Sequence, residues 1–212
     1  MEHKLRLNKP AFNLNTPTFD WDAGFPVGNG RLGAMVRGLL CGEVITLNED
    51  SLWYGPHADR GNPDGKAHIE EIRSLLKQGK VREADKMCYM ALTSVPKYFG
   101  AFEPMGELYI YFNHSDKITK YQRELDLANA LANVSYQVDG MRVRRECFAS
   151  YPDQVMVFRL SADKPELDVH FNIMRRPCDL GTEVVQSDIL HMPGQCGPDG
   201  VRFSCLLGAQ SD

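Results

Sequence analysis

The sequence lacks the features that mark nucleic-acid-binding, membrane-spanning and disulfide-rich proteins. Its 24 Lys and Arg against 28 Asp and Glu leave a net charge of -4, without the basic excess of nucleic-acid binders. No apolar run approaches the ~18 residues of a membrane-spanning helix. Its six cysteines are scattered without a C-x-x-C pair, too sparse for a disulfide scaffold. We therefore expect free thiols, with neither nucleic acid nor membrane as a partner.

No signal peptide is expected, since residues 1–6 (MEHKLR) contain no apolar stretch. A cytoplasmic location is favoured on this ground. If a leader has been removed from the chain, a secreted or periplasmic location stays open.

Motifs for metals and cofactors are missing as well. The six histidines form neither H-x-x-x-H nor H-E-x-x-H, so no metal is expected. Residues 28–33 (GNGRLG) match G-x-G-x-x-G, but a dinucleotide site needs a buried strand before the motif and a helix after it. Here the preceding segment is broken by Gly and Pro, and residues 34–38 are typical of a short strand. The glycines are expected to shape a tight loop, and no cofactor is predicted.

Alternation of apolar and polar residues is the dominant pattern and predicts half-buried strands. Asp139-Gly140 lies between two alternating runs and predicts a tight hairpin, because glycine tolerates the positive φ of such turns. No helices alternate with the strands, so we predict a mainly β fold, a large antiparallel β-sandwich or supersandwich. Its predicted strands lie at about 32–37, 43–48, 108–112, 133–138, 141–149, 155–160, 167–174, 183–192 and 201–207.

One stretch departs from this pattern. Ile69, Ile72 and Leu76 repeat at helical spacing, and Gly79 follows where a helix C-cap belongs. Apolar residues continue at the same spacing to Leu92. The sequence thus predicts a helical pair at about 65–92, packed on the sheet as core, with a partner-binding role as the alternative.

A single domain spanning residues 1–212 is expected, because no Pro- or Ser-rich linker and no internal repeat divides the chain. The sequence ends with residues 208–212 (GAQSD), directly after a strongly patterned strand. A sandwich cut before its final strands would look the same, so truncation at the C-terminal end is our hypothesis.

The densest polar and aromatic cluster is residues 48–55 (NEDSLWYG). Its amide, carboxylates and indole could bind a sugar. The simpler interpretation is a strand end that caps the next turn, with Trp53 anchored in the core. Glycoside hydrolysis needs two carboxyl groups at a defined separation, which a sequence does not provide. The candidates by residue type alone are Glu49, Asp50, Glu103 and Glu107.

Five segments, in this order, carry a family resemblance. They are residues 25–36 (FPVGNGRLGAMV), 47–56 (LNEDSLWYGP), 106–108 (GEL), 121–127 (YQRELDL) and 145–155 (RECFASYPDQV). Together they resemble the N-terminal domain of glycoside hydrolase family 95, the inverting α-L-fucosidases, a family that includes α-L-galactosidase activity. The resemblance covers about residues 15–210.

This resemblance implies a large β-sandwich whose catalytic machinery lies in a downstream (α/α)6 barrel that these 212 residues do not include. No catalytic residue is therefore assigned, and the parent protein, not this fragment alone, is expected to be the glycosidase. The expected partners are the barrel of the same polypeptide and the parent's oligosaccharide substrate, a fucosylated or L-galactosyl glycan. The residues expected at the substrate cleft or barrel interface are Asn29, Arg31, Asn48, Glu49 and Trp53.

Two other functions stay open. A stand-alone carbohydrate-binding module would expose an aromatic platform for sugars. A structural docking domain of a glycoside phosphorylase-like protein would instead expose an apolar patch where a barrel packs.

Overall fold

The structure is a computed structural model that describes residues 3–8, 21–165 and 167–211. Strands are the main secondary structure in these ranges. The first residues of the predicted domain, 1–2 and 9–20, lie outside them. Within these ranges the strands are β1 (Lys4–Leu7), β2 (Phe25–Gly28), β3 (Leu32–Val36), β4 (Gly42–Glu49), β5 (Gly106–Phe112), β6 (Ile118–Asp126), β7 (Leu131–Val138), β8 (Met141–Ser150), β9 (Val155–Ala162), β10 (Val169–Met174), β11 (Glu183–Gln186), β12 (Ile189–Gln195) and β13 (Arg202–Gly208).

These strands form three sheets in which every described pairing is antiparallel. The first sheet has the order β1-β6-β7-β8-β9, the second β10-β5-β4-β3-β2, and the third β11-β12-β13. Strands β2 and β3 of the second sheet pack on β7, β8 and β9 of the first. The predicted mainly β sandwich is therefore confirmed.

The core lies between the two five-stranded sheets, as the alternation of apolar residues requires. The second sheet contributes Ile45 and Leu108 to one continuous cluster, and the first contributes Val134 and Val143. At the predicted hairpin, Asp139 and Gly140 both have positive φ, 50° and 74°, which matches the twist of the paired strands β7 and β8.

A buried ion pair crosses this apolar core. Glu43 on β4 is 2% exposed and Arg145 on β8 is 6% exposed, and Arg145 Nη1 lies 3.4 Å from a Glu43 carboxylate oxygen. The other Glu43 oxygen accepts hydrogen bonds from the backbone N–H groups of Gly38 and Val44. Burial raises the pKa of Glu43 above its ordinary value, and the Arg145 charge and these N–H groups offset only part of that rise. The pair thus links the two sheets electrostatically.

Helices α1 (Gly65–Lys77) and α2 (Val81–Ala91) confirm the predicted helical pair. Our expectation that the pair packs on the sheet is wrong. Each helix packs mainly on the other, and their buried side chains Ile72, Ala84 and Ala91 lie outside the core cluster. The small alanines allow this close approach. Neither helix of the described ranges is long and apolar enough to cross a membrane.

Three strands were not predicted, namely β1, β2 and β6, and the predicted strand 183–192 is a hairpin of β11 and β12. Strand β6 was not predicted because its register shifts between Thr119 and Gln122, which interrupts the alternation of apolar and polar residues. Its side chains are also mostly polar, and the fully buried one is a charged residue, Arg123.

Replacing Glu43 by Gln keeps an acceptor for the Gly38 and Val44 N–H groups but removes the charge that faces Arg145. We expect the free energy of unfolding to fall by about 3–5 kcal/mol, because Arg145 becomes a buried charge without its carboxylate. Adding Arg145→Met should restore most of the loss. Urea unfolding measures both, with the exposed Glu70→Gln as the control. A Glu43→Gln chain of unchanged stability would show that no charge on Glu43 balances Arg145.

Candidate functional site

Asn29 organises the tight loop between β2 and β3. Its side-chain oxygen accepts hydrogen bonds from the backbone N–H groups of Arg31 (3.1 Å) and Leu32 (2.8 Å). Gly30 supplies the positive φ of 94° that the turn requires. The Asn29 amide also donates to the Ser150 carbonyl, at 2.8 Å, at the end of β8. The G-x-G-x-x-G segment is therefore a hairpin loop, as expected, and Asn29 ties it to the opposite sheet.

Arg31 and Glu49 form the centre of a polar network beside this loop. Arg31 Nη1 lies 3.1 Å from Glu49 Oε1, and Arg31 Nε donates to Gln154 Oε1 at 2.8 Å. The second Glu49 oxygen accepts from both the Ser51 backbone N–H (2.9 Å) and the Ser51 hydroxyl (2.6 Å). Asn29, Arg31 and Glu49 are thus brought together, and each has fixed partners. We name Asn29, Arg31, Glu49, Ser51 and Gln154 the loop network.

The electrostatics of Glu49 favour its ionised form. Burial raises its pKa, but the two hydrogen bonds from Ser51 and the pairing with Arg31 outweigh burial and lower the pKa overall. A general acid in glycoside hydrolysis needs a raised pKa, so that it carries a proton near neutral pH. Glu49 therefore has the properties of a fixed anionic anchor.

Two of the other carboxylates considered for catalysis lie beside arginines. Glu103 is ion-paired with Arg175, and Glu107 lies 3.6 Å from Arg37 Nη2. Asp50 is exposed beside Glu49. Within residues 3–8, 21–165 and 167–211, no three His, Cys, Asp or Glu side chains lie close enough to hold a metal ion.

Asn48 lies apart from the loop network. It precedes Glu49 on β4, so its side chain is on the other face of the sheet, opposite Gly33 of β3. It is half-buried, and the described residues give its amide no hydrogen-bond partner. The residue types suggested that Asn48 and Glu49 belong to one cluster. Successive side chains on a strand point to opposite faces, so the structure separates the two.

Trp53 lies in a second, aromatic cluster. It is 40% exposed, so the expectation of a core anchor is wrong, and Leu52 fills the core instead. The Trp53 ring centroid lies 5.3 Å from that of Phe99 and 5.2 Å from that of Phe102, with the rings tilted by 50° and 62°. The Arg60 guanidinium covers Phe99 at 4.5 Å.

Further exposed rings border this cluster. The Tyr54 backbone N–H donates to the Ala101 carbonyl at 2.9 Å, which holds the 53–55 and 99–103 segments side by side. Lys97 lies over the rings of both Tyr89 and Tyr98. Exposed apolar groups gathered in this way are typical of an interaction surface. We name this set the aromatic surface; its members are Trp53, Tyr54, Tyr89, Tyr98, Phe99 and Phe102.

Sequence reasoning missed the partners of the predicted residues. Phe99 and Phe102 are more than 40 positions from Trp53, and Gln154 is 123 positions from Arg31. The sequence contained one signal for the partners in the loop network, because Ser150 and Gln154 both belong to the segment 145–155 that carries the family resemblance.

A Glu49→Gln variant tests the loop network through pH. Because the folded-state pKa of Glu49 is lowered from the ordinary 4.5, its ionised form stabilises the fold above that pH. This contribution is lost as the pH falls through the folded-state value. Glu49→Gln should therefore lose about 1–2 kcal/mol at neutral pH and decline less steeply in acid. Urea unfolding across the acid range measures this. Asp50→Asn, which changes the exposed neighbour of Glu49, is the control. If the stability of Glu49→Gln and of the original chain fell equally steeply with pH, the stabilising role of the ionised Glu49 would be contradicted.

Nearly the whole chain is similar to known proteins. Residues 5–212 match the family model for the glycosyl hydrolase family 65 N-terminal domain. Alpha-L-fucosidase 2 of Arabidopsis thaliana is 38% identical over 75% of this chain and 19% of its own length. The probable alpha-fucosidase A of Aspergillus niger is 35% identical over 70% of this chain and 19% of its own length, and that of Aspergillus oryzae is 26% identical over 84% and 26%.

The chain spans about a fifth of the length of the first two curated relatives that it matches. The relatives' names and the family model together confirm the predicted resemblance to the N-terminal domain of an α-L-fucosidase-like glycoside hydrolase. With its β-sandwich and the match over residues 5–212, the chain belongs to the glycosyl hydrolase family 65 N-terminal domain family.

Proposed function

We propose that this chain is the non-catalytic N-terminal domain of an inverting α-L-fucosidase-like enzyme of glycoside hydrolase family 95. On this proposal the parent enzyme acts on fucosylated or L-galactosyl glycans through an (α/α)6 barrel in the same polypeptide. The names of the relatives support the substrate class, and the small share of their length that is matched supports a catalytic centre elsewhere.

The aromatic surface carries the proposal that the domain supports the barrel. The six large rings of the aromatic surface are at least 40% exposed. Such rings form the centre of protein interfaces once a partner covers them. The Phe99 and Phe102 rings are tilted by 50° and 62° from the Trp53 ring, so the surface is uneven and suits the interlocking side chains of a protein partner. A sugar instead stacks on a flat ring. This shape favours docking over a stand-alone carbohydrate-binding module.

The loop network has a second role in this proposal. It holds the β2–β3 loop and the end of β4 against the β8–β9 turn, so these loops have a fixed shape. Arg31 retains an exposed guanidinium edge, with 47% of its side chain accessible. Loops fixed in this way can buttress one wall of a substrate cleft formed with the barrel.

The chain by itself should not hydrolyse α-L-fucosides. Glu103 and Glu107 each lie beside an arginine, and Glu49 has the lowered pKa of an anchor. Incubation of the chain with a chromogenic α-L-fucoside, next to a buffer blank and an active α-L-fucosidase, measures this. Turnover above the blank, reproduced in independent preparations, would place the catalytic groups within the chain and overturn the proposal.

Trp53→Ala in the full-length parent enzyme should weaken the docking of the sandwich on the barrel. Loss of a central interface ring costs about 2 kcal/mol or more, so the enzyme should inactivate faster on heating. The sandwich itself should keep its stability, because Trp53 is half-exposed in the isolated chain. Tyr111→Ala, which removes an exposed ring outside both the aromatic surface and the loop network, is the matched control.

Residual activity after heating and calorimetry with fucosylated oligosaccharides separate the candidate functions. Unchanged heat inactivation of Trp53→Ala would contradict docking. Sugar binding by the isolated chain that disappears in Trp53→Ala would identify a carbohydrate-binding module instead.

A further inference from the structure

Two of the six cysteines lie beside each other in the core. Cys178 follows β10 and Cys196 follows β12, and they are 8% and 0% exposed. The Cys178 side chain is close enough to Cys196 to raise the pKa of its thiol. The neighbouring residues Asp179 and Gly194 form an antiparallel bridge, and the Gln195 backbone N–H donates to the Cys178 carbonyl at 2.9 Å. Backbone and side-chain contacts therefore place the two cysteines on adjoining segments.

This arrangement meets the backbone requirement of a disulfide. Cys196 is one position beyond the residue that faces Cys178, so their Cα atoms are about 6 Å apart for ordinary antiparallel spacing. Disulfides span Cα separations of about 4.4–6.8 Å. Cys196 also ends the regular strand, since Gly197 follows with a φ of 82°. The chain turns there, which allows both thiols to lie on the same side.

We propose that Cys178 and Cys196 are an oxidation site that forms an intramolecular disulfide with a low-molecular-weight disulfide such as oxidised glutathione. The thiolate of one cysteine attacks the glutathione disulfide, forming a mixed disulfide and releasing one glutathione. The second cysteine, as its thiolate, attacks the protein sulfur of that mixed disulfide and releases the second glutathione. The two protein thiols lose two electrons, the glutathione disulfide gains them, and the two thiol protons pass to the released glutathiones.

The reaction belongs to folding or to local opening of this region. Burial raises the pKa of the Cys196 thiol, and the adjacent Cys178 raises it further, which disfavours the Cys196 thiolate in the closed state. Once formed, the bond joins the segment that leaves the second sheet to the end of β12 in the third sheet. The Cys196 carbonyl also accepts the Gly55 N–H at 2.8 Å, so the bond steadies the turn beneath the aromatic surface.

Refolding the chain from denaturant in a glutathione redox buffer tests the site, with refolding in dithiothreitol as the reference. The count of alkylatable thiols should fall from six to four. A tryptic peptide of residues 176–202 contains both cysteines and should lose the mass of two hydrogen atoms, because no cleavable Lys or Arg bond lies between them. Further cleavage after Glu183 should leave two pieces that separate only on reduction.

The oxidised chain should melt about 5 °C higher than the reduced chain, because the bond closes a loop of nearly 20 residues in the unfolded state. Cys178→Ser and Cys196→Ser should each abolish the linked peptide and the shift, and Cys205→Ser should keep both. Six free thiols in a folded, glutathione-treated chain would overturn the proposal. So would a linked peptide that pairs other cysteines equally often, or a shift that persists in Cys178→Ser.

Discussion

The ion pair between Glu43 and Arg145 is the constraint on which the arrangement of the two sheets depends. Apolar side chains attract one another without direction, so they do not by themselves fix how one sheet is placed over the other. A buried carboxylate and guanidinium do, because a shift of either strand would leave a charge without its partner. The Arg145 guanidinium also lies over the Phe112 and Tyr136 rings, so residues of both sheets surround it.

The geometry of the loops at the edge of the sandwich follows from that placement. The β2–β3 loop belongs to the second sheet, and its Asn29 reaches Ser150 at the end of β8 in the first. Arg31 reaches Gln154 across the same gap. The loop network is therefore a product of sheet packing as much as of local sequence. The aromatic surface, by contrast, is built from helix α2 and the segments 53–54 and 98–102, and its rings are exposed.

Much of the fold was predictable because alternation is a local property. Strands such as β5 and β7 bury one face, and the period of two shows directly in their sequence. Strand β6 was not predictable, because a register shift interrupts its period and its fully buried side chain is Arg123. Arg123 lies over the Phe25 ring, a contact between distant parts of the chain that hydropathy does not indicate.

The candidate site was predictable only in part, for a related reason. The types of residue in 48–55 pointed to the correct strand end, but the partners of Glu49 and Trp53 come from elsewhere. Ser51 lies close enough for a local pattern to suggest it. Gln154 and Phe99 are brought in by folding, and no spacing rule connects them to Arg31 or Trp53.

The order of strands along the chain means that the two sheets are not formed from two separate segments. Strands β6 to β9 are consecutive neighbours and need only short connections to pair. Strand β10 pairs with β5, yet the whole β6–β9 meander lies between them in sequence. The second sheet is therefore completed only after the chain has passed through the first. An interleaved chain of this kind favours cooperative unfolding of both sheets, and neither could be excised as a separate module.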